Sequence, residues 1–142
     1  MRNCISGILR DSSVLGNWIK RNILILVLFL LIYFLNRHFK YYIDLPAVGY
    51  LCRCHLNDYI GGIVFCVYLN MLLVFNHRRP VLKLYHLLLI MSGVSILWEY
   101  FFPIFLSYST SDFYDIIAYL LGTVTYYFLA CRVPAKKVTE DI

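Results

Sequence analysis

Residues 23–35 read Ile-Leu-Ile-Leu-Val-Leu-Phe-Leu-Leu-Ile-Tyr-Phe-Leu, an apolar run without a single charge. Lys20 and Arg21 stand before it, and Asn36, Arg37 and His38 follow. Trp18 and Ile19 carry the apolar character one turn further back. Cations bracketing a run of this kind mark a membrane-spanning helix, placed here at 18–36. Ahead of it, Ile5, Ile8, Leu9, Leu15 and Trp18 recur at about helical spacing among Arg and Ser, the pattern of a segment lying on the membrane surface. The polar stretch before the run is too long for the leading part of a cleaved signal, and no small-residue cleavage site follows, so the reading is of an uncleaved anchor.

The rest of the chain has the same solvent. Of 142 residues, 61% are hydrophobic and 15% charged, and the mean hydropathy is +0.71. That leaves too little polar surface to cover a water-soluble globule. Three more apolar runs follow, at 58–75, 82–106 and 112–131. The expected fold is all-α: a polytopic membrane protein with four transmembrane helices in one bundle, the whole of 1–142 forming a single transmembrane domain. The connection 37–57 contains Tyr41, Tyr42, Pro46 and Tyr50 around a run too short to cross, which predicts an interfacial or re-entrant piece. Asn76, His77, Arg78, Arg79 and Pro80 make a tight polar turn, so spans two and three form an antiparallel hairpin. Gly61 and Gly62 in span two, and Gly122 in span four, are positions for close helix packing.

The net charge of +5 is not a nucleic-acid signal, because the Lys and Arg residues flank the spans. Arg2, Arg10, Lys20, Arg21, Arg78, Arg79, Lys83, Arg132, Lys136 and Lys137 fall on one side; only Arg37, Lys40 and Arg53 fall on the other. The rule that basic loops stay inside then places both termini in the cytoplasm. Cys4, Cys52, Cys54, Cys66 and Cys131 are odd in number and scattered, so no disulfide framework is legible.

Chemistry is concentrated in a few acidic residues. Glu99 lies inside span three, roughly 10 Å from its outer end at 1.5 Å per residue. A carboxyl there belongs in the bundle interior and marks a site or pathway, or else locks helices together by a hydrogen bond. Ser92 and Ser95 share its stripe. Asp112, Asp115, Tyr119 and Gly122 follow one another at offsets of three, four and three along one face of span four, although Asp112 and Asp115 also suit a helix cap and first turn. Asn57 and Asp58 open span two. Should Asp58, Glu99 and Asp115 converge, their repulsion would be relieved by a proton or a cation. Cys52, Cys54 and His55 form a C-x-C-H string without zinc or haem spacing. His77 and His86 read as interfacial. No nucleophile elbow, zinc-protease helix or phosphate loop is present, so no enzyme activity is expected, and no cofactor.

The arrangement of Asn57-Asp58, then Glu99, then D-x-x-D-x-x-x-Y-x-x-G (Asp112, Asp115, Tyr119, Gly122) resembles the VanZ-like group of small membrane proteins, over roughly residues 45–127. It is also similar to short Bacteroidetes membrane proteins labelled magnesium citrate secondary transporter. VanZ-like members often have Gln after the Glu and Asn in the last span, where this chain has Tyr100 and Tyr119. The resemblance implies a four-helix protein of the cell membrane, with a link to glycopeptide (teicoplanin) susceptibility.

The leading expectation is therefore an outward-facing acidic pocket that binds a cation, or a cationic or lipid-linked envelope ligand, through Asp58, Glu99, Asp115, Asp112, Asn57, Ser95 and Tyr119. A secondary transporter subunit, or a structural subunit without a ligand, is the alternative. Partners expected are the bilayer, a second copy of the chain or another membrane subunit, and a small ligand or cation. Nucleic acid is not among them.

Overall fold

The computed structural model describes residues 12–42, 46–105 and 112–132. Among them every regular element is helical, as lipid demands of a chain that must satisfy its own backbone. The helices are α1 (Ser12–Phe39), α2 (Pro46–Cys54), α3 (Leu56–Phe75), α4 (Leu84–Ile96), α5 (Phe102–Phe105) and α6 (Phe113–Tyr126). Between α4 and α5 the helix widens into a π-turn, Leu97–Phe101, and a second π-turn, Tyr127–Cys131, follows α6. Among the described residues four stretches are long and apolar enough to cross a membrane: Val14–Phe39, Leu56–Phe75, Leu84–Phe101 and Phe113–Cys131. This is the build of a multi-pass membrane protein, and the stretches are numbered as spans one to four below.

Helix α1 begins by Ser12, earlier than the expected 18. Leu15 and Trp18 are therefore continuous with span one; Ile5, Ile8 and Leu9 lie outside the described residues, as does the expected end of span three at 106. Helix α4 starts at Leu84, not at 82, for a local reason. The Asn70 side chain accepts from Val81 N–H (2.6 Å) and donates to Val81 C=O (3.1 Å), which holds that peptide out of the helix.

In the connection 37–57, α2 is nine residues long, about 14 Å, too short to cross. Pro46 suits its first position. Asn36, near the end of α1, ties the connection down by donating to Cys52 C=O (2.8 Å) and Asn57 Oδ1 (2.9 Å).

Helices α3 and α6 form the centre of the bundle, with span one packed on α3 and on the end of span four, and α4 packed on α6. Ile63, Cys66, Val67, Leu87, Tyr126 and Ala130 make the core. Contacts between α3 and α6 advance together along both helices, from Asp58–Tyr119 through Cys66–Thr123 to Asn70–Tyr126. The two helices are therefore parallel. Outward faces stay greasy, with Leu24 67% and Phe34 63% exposed, surface suited to lipid.

The two π-turns serve the packing. Span three buries Leu87, Met91, Ser95 and Glu99, and span four buries Ala118, Gly122, Tyr126 and Ala130, in each case every fourth residue. In an α-helix that spacing drifts by about 40° per step. A wider i→i+5 turn reverses the drift, so Glu99 and Ala130 return to the inward face.

Candidate functional site

The site is assembled at the end of the bundle where spans two and four begin. Asp112 caps α6: its backbone is extended (φ −129°, ψ 124°), and its Oδ1 accepts from Tyr114 N–H at 3.0 Å. One turn on, Asp115 points at the start of α3, and its Oδ1 lies 2.7 Å from Nδ1 of His55, the residue before that helix. Asp58, in the first turn of α3, accepts from the Tyr119 hydroxyl at 2.8 Å. Glu99 enters from span three at the π-turn and is only 6% exposed. Its Oε2 accepts a long bond, 3.5 Å, from Asp112 N–H.

These groups feel one another. The charged neighbours acting on Glu99 are Asp115, Asp58 and Asp112, all of one sign. His55 supplies a counter-charge to Asp115 when protonated. A cluster with more carboxyls than cations favours a proton or a bound cation. His55, Asp112 and Asp115 each offer a ligand atom, and these atoms lie within 4.8 Å of one another. Around an ion held tetrahedrally by bonds of about 2.1 Å the ligand atoms stand about 3.4 Å apart, so a closing movement of at most about 1.4 Å would complete the set.

The structure brings Asp58, Glu99, Asp112, Asp115 and Tyr119 into one neighbourhood. Two of the expected site residues go elsewhere. Asn57 turns to α1 and accepts from Asn36. Ser95 is buried, but its hydroxyl donates to Ser92 C=O on its own helix at 3.1 Å. His55 joins the cluster against Asp115, without Cys52 or Cys54 among the potential ligands. An apolar cavity of about 210 Å³ between α2, α3 and α6, lined by Leu51, Leu56, Tyr59 and Leu121 among others, touches the cluster only through His55. The polar chemistry is in the cluster, not in that cavity.

The glycines set the distance between α3 and α6. A Cβ on Gly61 would meet the Tyr119 ring at 3.1 Å, and one on Gly62 would strike the Tyr119 carbonyl. Without those side chains Tyr119 lies against α3 and reaches Asp58.

A second polar group, at the opposite end, is invisible to a reading fixed on acids. Tyr126 hydroxyl donates to Asn22 Oδ1 (3.0 Å) and accepts from Asn70 Nδ2 (2.9 Å), and Asn22 donates to Trp18 C=O (2.9 Å). All three side chains are fully buried. The signal was there: Asn22 and Asn70 border or interrupt apolar runs, where an amide must find partners.

Comparisons of the chain with protein-family models, with curated proteins and with solved structures return no match. The class of protein, a multi-pass helical membrane protein with an acidic cluster at one end, therefore rests on its own geometry.

Proposed function

We propose that this chain is a membrane protein that binds a cation at the acidic end of its bundle, with His55, Asp112 and Asp115 as the ligands and Asp58 and Glu99 as surrounding negative charge. The observation that carries the reading is the approach of those three ligand atoms to within 4.8 Å beside a buried carboxyl. One imidazole and two carboxylates suit a first-row divalent metal. The protein acts by binding and not by catalysis. The basic residues flanking the spans support termini in the cytoplasm of a cell membrane and an outward-facing cluster. Asp58, Glu99, Asp112 and Asp115 are also among the residues that carry the likeness to VanZ-like proteins, which makes glycopeptide susceptibility a phenotype to score in cells expressing the chain.

The test is thermal unfolding of the detergent-purified protein with Mn²⁺, Zn²⁺ or Mg²⁺. A metal that binds the native state raises the midpoint by mass action. Asp115→Asn and Glu99→Gln should each reduce the rise. Equal behaviour of wild type and both variants with every metal would overturn the proposal.

Burial of Glu99 within a spanning stretch also favours a second reading, ion or metal-citrate exchange by a transporter subunit. Flux in proteoliposomes that disappears in Glu99→Gln would select it; binding without flux would leave the first reading alone.

A further inference from the structure

We infer that the Trp18–Arg21 face of α1, where it meets the end of span four, is a seat for a phosphate oxyanion. It lies at the opposite end from the acidic cluster and is independent of it. Trp18 is 3% exposed, and among the described residues its Nε1–H is buried without an acceptor. Arg21 Nε–H is likewise buried without one. Three residues apart, the two side chains share a face of α1. Arg21 is held in place by donating from Nη2 to the carbonyl of Ala130. Among the described residues the ionisable groups acting on its guanidinium are Cys131 and Tyr126, neither of them a carboxylate.

The neighbouring polar groups make the contrast. Asn22, Asn70 and Tyr126 are bonded to one another or to backbone, whereas both orphans next to them are N–H donors. A buried donor without a partner costs its full desolvation. The missing component is an acceptor, and the fixed positive charge makes it an anionic one. Phosphate oxygens match a guanidinium edge and can accept the indole N–H as well.

Position gives the source. Helix α1 has 28 residues, about 42 Å, against a hydrocarbon core of about 30 Å. With the apolar run 23–35 in the core, Trp18 and Arg21 come to its boundary, where headgroup phosphates lie. Exposed Lys20, Arg78, Arg79, Lys83 and Arg132 ring the same end and concentrate anions there. A lipid phosphodiester and free phosphate share the required chemistry.

The full chain in phosphate-free maltoside would be titrated with dioleoyl phosphatidylglycerol, with dioleoylglycerol, which lacks phosphate, and with inorganic phosphate. Trp98→Phe leaves Trp18 the sole tryptophan, so its emission reports binding directly. Phosphatidylglycerol should raise the unfolding midpoint and shift that emission, and dioleoylglycerol should do neither. Trp18→Phe and Arg21→Lys should each weaken the apparent affinity about tenfold. An equal response to inorganic phosphate would support the seat and assign a free anion as its occupant. Two results would overturn the inference: no response to either phosphate source, or a Trp18→Phe protein that is more stable than wild type with its lipid response intact.

Discussion

Gly62 and Gly122 are reciprocal: a Cβ on Gly62 would run into the carbonyl of Tyr119, and one on Gly122 into the carbonyl of Tyr59. Each tyrosine stands three residues before the glycine on its own helix, so Y-x-x-G in α3 faces Y-x-x-G in α6. Two parallel helices thus meet backbone to backbone with local two-fold character, a contact that lipid-embedded helices build from small residues.

Gly122→Ala should cost about 1–3 kcal/mol, because the obstacle is backbone and cannot swing away. Gly16 and Gly93 are the controls, since nothing lies within 4 Å of a Cβ at either. Gly93→Ala should be neutral or stabilise by up to about 1 kcal/mol, Ala being the better helix former. Thermal unfolding of the two variants side by side checks the difference in sign.

Asn70 holds Val81 by both of its peptide groups and also bonds Tyr126. Asn70→Leu would leave the half-buried Val81 N–H and C=O unpaired and take one of its two bonds from the Tyr126 hydroxyl, at an expected cost of about 2–4 kcal/mol. The turn 76–83 should then be cut faster by added protease. Unchanged stability together with unchanged cleavage would contradict this role.

His77 occupies the left-handed region at φ 55°. It sits where a Schellman motif closes α3, with Arg78 N–H bonded to Leu73 C=O and His77 N–H to Val74 C=O. Glycine is the usual occupant because it lacks the Cβ that is strained there. His77→Gly should therefore stabilise the protein by about 1 kcal/mol, and His77→Val should destabilise it. Denaturation midpoints decide between gain and loss.

His55 and Asp115 join α2–α3 to α6 across a 2.7 Å contact. A double-mutant cycle with His55→Ala and Asp115→Ala should give a coupling of about 1–2 kcal/mol in the absence of metal. Additive effects would mean that the contact contributes nothing to holding the site.

Much of the architecture was legible. Apolar runs bounded by Lys and Arg announce four helices long enough to cross, since length and hydropathy are local properties of the chain. The acidic residues near the starts of spans two and four, and Glu99 in span three, were visible as ionisable groups in or beside apolar runs. Less legible was their relation. Neighbouring Asn57 and Asp58 are equivalent by sequence, yet about 100° of helix rotation sends one to α1 and the other to Tyr119 on α6. His55 looked like part of a cysteine string and is instead the partner of Asp115.

Only tertiary structure decided these points, because each depends on which helix lies opposite. Both π-turns are of the same kind: the every-fourth-residue stripes ending at Glu99 and Ala130 stay inward only because packing against neighbours offsets the cost of a wider turn. By itself the sequence determined the solvent, the number of apolar helices long enough to span and the residue types at either end. Packing determined that Gly62 lies on the backbone of Tyr119 and Gly122 on that of Tyr59, that five of the expected site residues gather while Asn57 and Ser95 do not, and that, among the described residues, Trp18 and Arg21 are left holding donors without acceptors.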